Sequence, residues 1–356
     1  MMLALTLMVS SCSPATEGQE GNDAWVTLTI STGGEAAQAK ASDAASRASG
    51  SAADKDWQVN DLTIYIFDQT GQVIGSSYAS YSINSKQDIT AKVKTRKAQN
   101  CTVIALANAG TLSGTYATAQ TTSPFAGVST LSEFQQKYIT FKDMASLESA
   151  PCLLMVGYLK GFDTTSSGSS ISLQRLASRL DFTITVMDDK DTELPIVVDS
   201  YQLCHAPLSA YYASADMSST GITLPSGTSF VEYAANSTAF NSWTSGSNSQ
   251  SYTAYVYANP ATTATDATYL LIKAHSQASN IDTRKIWQSE FKVYLTGITG
   301  PADYQLLPNY HYTIGITVQG SATEHNGVKT VYTAYPYYSS SLSAWGSNEN
   351  RDLDMK

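Results

Sequence analysis

Two residues near the start of the chain could undergo chemistry, and both would be acted on by other enzymes. Met1 to Ser10 is short and apolar, and it leads into Val9-Ser10-Ser11-Cys12. Small residues ending in a cysteine after an apolar run form the pattern a lipoprotein signal peptidase cuts before the thiol is acylated. The run lacks the basic residues that usually open a signal, which leaves the true start codon open to an upstream position. The second residue is Arg47, followed by Ala48, at the end of a Gly/Ala/Ser-rich stretch where a trypsin-like protease would cut.

Residues that would act as catalysts are thin. His205, His275, His311 and His325 are isolated, without metal-ligand spacing to another His or Cys. The chain lacks G-x-S-x-G, a phosphate-binding glycine loop and H-E-x-x-H. Charged residues make up only 14% of it, too few to make a carboxylate-lined cleft a good expectation. The chain therefore reads as a non-enzyme without a cofactor or a metal. Asp188-Asp189-Lys190-Asp191 lacks the ligand spacing and glycine of a calcium loop, and the expectation there is a solvated turn.

The net charge of -9 argues against nucleic acid as a partner. The one basic cluster, Lys92-Val93-Lys94-Thr95-Arg96-Lys97, reads as a solvated strand edge or loop. No run reaches the roughly 20 apolar residues needed to span a bilayer, so membrane contact is expected only through lipid on Cys12. Without Cys12, Cys101, Cys152 and Cys204 remain. Cys101 and Cys152 sit beside apolar runs and read as buried thiols, so the core and not a disulfide framework must hold the fold.

The elements that must position the leading segment are strands. Trp25-Val26-Thr27-Leu28-Thr29-Ile30-Ser31 alternates strictly, with Val26, Leu28 and Ile30 on one face. Leu62 to Phe67, the turn Asp68-Gln69-Thr70-Gly71 and Val73-Ile74 form a hairpin pattern. Leu180, Phe182, Ile184 and Val186 alternate with polar residues, as do Phe291, Val293 and Leu295, and Tyr310 through Val318. A helix is predicted over Leu131 to Tyr138, opened by the Thr130/Glu133 capping box. Stretches 111–130, 163–172 and 241–251 are Ser/Thr/Gly-rich and read as surface loops. The expectation is an all-β chain of two β-sandwich domains in tandem with one or two short helices. Residues 1–11 are the signal and 12–47 a propeptide, followed by domains at 48–187 and 188–356.

Several segments together resemble the fimbrillin family, the pilin subunits of type V pili in Gram-negative anaerobes. They are the cysteine signal, the detachable leading strand and Arg47. To these add Asn60 to Asp68, Val103-Ile104-Ala105-Leu106-Ala107-Asn108-Ala109, Met155-Val156-Gly157 and Ile171-Ser172-Leu173-Gln174-Arg175-Leu176-Ala177-Ser178-Arg179-Leu180-Asp181-Phe182.

The resemblance implies transthyretin-like sandwiches, acylation of Cys12, and routing to the outer membrane and then to a cell-surface fimbrium. It implies a cut between Arg47 and Ala48 by an Arg/Lys-specific protease, with Lys40 and Lys55 as fallback sites. The departing strand would leave a groove for a donor strand from another copy or a related pilin.

For the donor, residues Val328 to Tyr338 carry apolar or aromatic side chains on both faces, with Val328, Thr330, Val331, Tyr332, Ala334 and Tyr335 as candidates. An ordinary last strand packed on its own domain is an equal expectation for this segment. Unlike shaft subunits of the family, the chain continues past Trp345 with a polar tail to Lys356. The adhesive fibre subunit is set against a monomeric outer-membrane lipoprotein that binds glycan or protein, or a tip adhesin. In the lipoprotein, Tyr255, Tyr257, Tyr335, Tyr337 and Tyr338 would form a sugar platform. The surface ligand itself is not legible in the sequence.

Overall fold

Alternation sets the first strand, β1 (Asp23–Ser31), whose inward residues are Val26, Leu28 and Ile30. The computed structural model describes residues 22–32, 55–118, 125–166, 168–189, 193–214, 223–244, 246–295, 304–320, 330–332 and 340–344. β2 (Val59–Phe67) and β3 (Val73–Ile83) make the expected hairpin. Its turn is tied by the Asp68 carboxylate, which accepts from the backbone N–H groups of Thr70 (2.9 Å) and Gln72 (3.0 Å). β4 (Asp88–Arg96) alternates without a break, so Ile89, Ala91 and Val93 point inward and Lys92, Lys94 and Arg96 point to solvent. The basic cluster is thus the wet face of a strand.

β5 (Cys101–Ala107) is apolar on both faces and almost wholly buried. After it come α1 (Ala109–Leu112), α2 (Leu131–Gln135), β6 (Tyr138–Thr140), α3 (Met144–Ser149), β7 (Met155–Phe162), β8 (Ser169–Ser172) and β9 (Gln174–Arg175). The capping box at Thr130/Glu133 is formed, but α2 ends at Gln135 and Tyr138 belongs to β6. Tyr138 pairs with Tyr211 across a short ladder, and that pairing outweighs one more helical turn.

A three-stranded sheet, β4-β1-β8, faces a five-stranded sheet, β3-β2-β5-β7-β9. Between them lies one core of Val26, Leu28, Ile30, Val93 and Ile171 against Leu62, Ile64, Ile66, Val103 and Met155. The opposite face of the five-stranded sheet, with Phe67, Ile104 and Leu106, is covered by Leu112, Phe134, Met144 and Leu147 from the helices.

The second half is built from β10 (Ala177–Val186), β11 (Ile196–Cys204), β12 (Ala206–Pro207), β13 (Ser209–Tyr211), β14 (Phe230–Val231), β15 (Phe240–Asn241), β16 (Ser249–Tyr257), β17 (Tyr269–Gln277), β18 (Lys285–Tyr294), β19 (Tyr310–Val318), β20 (Thr330–Tyr332) and β21 (Ser340–Ala344). Its main sheets run β16-β10-β19-β21 and β15-β11-β17-β18-β20. Leu180, Phe182, Ile184 and Val186 are buried, as their alternation requires, in a core shared with Val198, Leu270, Ile272, Phe291 and Val293. The chain is all-β with short helices.

Three local expectations change. β10, placed by sequence in the 48–187 unit, forms its ladders with β16 and β19 of the later sheets. Alternation identifies a strand without naming its sheet. Asp189 is not a solvated turn residue: it is buried, and its carboxylate accepts from Trp287 Nε1 at 2.7 Å. The serine-rich stretch 163–172 is only partly loop, because it ends in β8. Cys101, Cys152 and Cys204 are buried free thiols, and burial pushes the Cys152 thiol up to about 12.

Candidate functional site

The candidate functional feature is the seat of β1. The strand lies between two neighbours, antiparallel to β4 from Asp23↔Arg96 to Ser31↔Asp88 and parallel to β8 from Leu28↔Ser169 to Ser31↔Ser172. Val26 is 1% exposed, and Leu28 and Ile30 are 0% exposed. On the outward face Trp25 is 69% exposed, and Asp23 reaches Lys94 at 2.8 Å. That surface ion pair adds little to stability. β1 is held by its apolar face and two backbone ladders.

The walls of this seat also press closely on the facing sheet. A Cβ on Gly157 of β7 would stand 2.5 Å from Ile171 Cγ2 and 2.7 Å from the Ser172 carbonyl oxygen. A Cβ on Gly75 of β3 would stand 2.8 Å from the Lys94 carbonyl oxygen. Glycine at these two places lets the outer strands β4 and β8 press onto the five-stranded sheet, β4 at β3 and β8 at β7. β8 is the element that sequence reasoning missed. Its signal was the alternation Ser170-Ile171-Ser172-Leu173, with Ile171 and Leu173 both buried in the same core as Leu28.

Residues 55–57 are pinned. The Arg175 side chain donates from Nε to the Asp56 carbonyl at 2.7 Å, and its guanidinium stacks 4.4 Å over the Trp57 ring. Arg179 pairs with the buried Asp56 carboxylate at 3.2 Å. Leu173 sits in the first core and Ala177 in the second, so the stretch Leu173 to Arg179 crosses from one set of sheets to the other. Lys55 donates to the Glu148 carbonyl at 3.0 Å and lies 4.1 Å above the Tyr255 ring. Burial holds its ammonium below the usual lysine range, against the pull of Asp56 and Glu148.

The other segments that carry the resemblance are locks as well. Asn108, at φ 72, donates to the carbonyls of Gln58 (2.7 Å) and Leu153 (2.6 Å). Asp61 accepts from the backbone of Gly110 (2.9 Å) and Thr111 (2.7 Å).

At the other end, Thr330, Val331 and Tyr332 form β20, which runs parallel to β18 through Ser289, Glu290 and Phe291 at a sheet edge. β21 is an edge strand antiparallel to β19. Cys12, Lys40, Arg47, Ala48, Val328, Ala334 and Tyr335 lie outside the described residues. So do Tyr337 and Tyr338. Of the tyrosines considered for a sugar platform, Tyr257 is buried against Phe141 and Tyr255 is covered by Lys55. That leaves sheet packing as the role of Tyr257.

Among the described residues, no group of three or more His, Cys, Asp or Glu is placed to hold a metal. Among them also, no helix is long and apolar enough to cross a membrane. The His275/Asp199 pair (2.9 Å) is structural: partial burial raises the Asp199 carboxyl, but the His275 hydrogen bond and the charges of His275 and Lys285 outweigh it and hold the group below its usual value.

Residues 25–172 match the family described as major fimbrial subunit protein (FimA). Over that stretch the chain is similar to the fimbrillin family. The matched span opens within β1 and closes at the end of β8, so it contains both the seat and its occupant. A crystal structure of a candidate cell adhesion protein from Parabacteroides distasonis has a TM-score of 0.66 at 18% identity, covering 92% of this chain and 99% of that one. The tip fimbrial protein Mfa3 from Porphyromonas gingivalis, with C-terminal truncation, scores 0.53 at 12% identity, covering 91% and 100%. A fimbrilin (FimA) from Porphyromonas gingivalis scores 0.52 at 11% identity, covering 89% and 97%. At these identities the structural likeness shows the fold alone. No curated protein matches the sequence. The matched family is one of fimbrial structural subunits.

Proposed function

We propose that this chain is a fimbrillin, exported as an outer-membrane lipoprotein acylated on Cys12 and cut between Arg47 and Ala48 by a trypsin-like Arg/Lys-specific protease. It then polymerises by strand exchange into an adhesive fibre. β1, with Val26, Leu28 and Ile30, is the strand that leaves. An extended segment of a neighbouring subunit takes its place, supplied by the region of Val328, Thr330, Val331, Tyr332, Ala334 and Tyr335. We place the division between the two structural units at Leu176, between β9 and β10.

One observation carries this reading: a strand joined to the body only through residues 33–54 is the central strand of its sheet. Its departure would leave β4 and β8 each with an unpaired edge above uncovered apolar surface, and such edges bind strands.

The test is limited digestion of the purified precursor with a trypsin-like protease. The expected product begins at Ala48 and forms ladders that survive SDS without boiling. Because the Lys55 side chain is engaged by Glu148 and Tyr255, cutting after Lys55 is not expected. Assembly by the Arg47→Ala variant would overturn the assignment of Arg47.

A further inference from the structure

The inward face of β1 continues one position past Ile30, and there the groove stops being apolar. Thr32 is 0% exposed. Its hydroxyl donates to the Gln87 carbonyl at 3.0 Å and accepts from the Gln87 backbone N–H at 3.0 Å. The Thr32 N–H donates to the same carbonyl at 3.3 Å. Gln87 directly precedes β4, so this polar corner is made of backbone and marks one end of the seat. Its side chain is exposed, while its peptide groups face Thr32. A hydroxyl is suited to this corner because one atom both gives and receives a hydrogen bond.

From this we infer that the groove reads a four-position code. The strand it accepts carries three apolar residues at alternate positions, followed two residues later by Ser or Thr seated on Gln87. The inference rests on the strand exchange proposed above and names what an incoming strand must contain; the run Val328 to Tyr335 does not contain it, so a donor that obeys the code extends past Tyr335.

The code also solves a register problem. Slipping a strand by one residue turns its apolar set outward, so alternation forbids that error. A slip of two residues keeps the apolar face inward, and alternation alone does not oppose it. The Gln87 corner does. In a two-residue slip either an apolar side chain covers the peptide groups of Gln87, or the hydroxyl enters an apolar pocket without a partner. The corner distinguishes direction too, since a reversed strand would carry its hydroxyl to the Val26 end.

The experiment uses the full chain nicked after Arg47 and three labelled synthetic peptides spanning residues 22–33: the native one, Thr32→Ser and Thr32→Val. Entry is followed by fluorescence anisotropy. A groove that selects only for apolar burial would bind the Val peptide tightest. The hydroxyl code predicts the order Thr, Ser, Val, with Val weaker than Thr on the order of tenfold, the usual worth of one exchanged hydrogen bond to peptide groups. Val equal to or tighter than Thr overturns the code. Failure of every peptide to enter would count against strand exchange itself. The corner is then tested in the uncut chain, where Thr32→Val must lower the urea midpoint. An unchanged midpoint overturns the inference there as well.

Discussion

β1 and β20 stand at opposite ends of the chain and at opposite extremes of how a strand is held. β1 has nine residues and a neighbour on each side, with Val26, Leu28 and Ile30 fully enclosed. Among the described residues, β20 has three residues and pairs with β18 alone. It does so in parallel, the slightly weaker ladder per residue. β21, with five residues, is also an edge strand.

The contrast separates tether from hold. Cutting at Arg47 would sever the tether of β1 and leave its hold untouched, since each of its three buried side chains contributes roughly 1.5–3 kcal/mol. On the proposed mechanism β1 is therefore displaced by an incoming strand and does not simply depart. Edge strands such as β20, by comparison, can be freed at the cost of a single short ladder.

The sharpest way to break this comparison is native-state hydrogen exchange. Amides of β1 are expected to exchange only through opening close to global unfolding, and those of β20 through local fraying near zero cost. That is a gap on the order of the whole stability, about 5–15 kcal/mol. Similar protection in the two strands would remove the distinction. Next in size, Leu28→Ala should cost about 2–5 kcal/mol in urea unfolding, because the enclosed side chain leaves a cavity.

Gly157→Ala tests the walls and not the occupant. Its added methyl must displace Ile171 or the backbone at Ser172, and the expected loss is about 1–3 kcal/mol. A neutral result would mean that β7 and β8 are not held in close approach.

The smallest effect concerns pH. Asp199, held below its usual value, contributes stability that is complete above the unfolded carboxylate value near about 4 and is lost as pH falls through the lower folded value. Asp199→Asn should flatten that acid limb slightly in the second half, measured by unfolding at pH 3 to 6. The hold on β1, made by apolar faces and peptide groups, should not respond.

Much of this was legible in order along the chain. The hairpin at Asp68–Gly71, the capping box at Thr130 and the alternating faces of β1 and β10 follow from local rules that act within a few residues. β8 escaped notice because four serine-rich residues resemble a loop until Ile171 is seen beside Ile30. Asp189 escaped because a carboxylate within an acidic run is ordinarily wet, and its partner Trp287 is remote in sequence. The stretch Leu173 to Arg179 stood out as a pattern, but its work of joining two cores and pinning residues 55–57 could not be read there.

By itself the amino-acid sequence determined most of the segments that are strands, β8 excepted, and which face of each is apolar. Those properties depend on side-chain period and local turn chemistry. Tertiary structure alone decided that β1 is a central strand, that β10 belongs with the later sheets, and that the groove ends in the peptide groups of Gln87. Each depends on which edges meet across long loops, and alternation is the same whichever partner a strand finds.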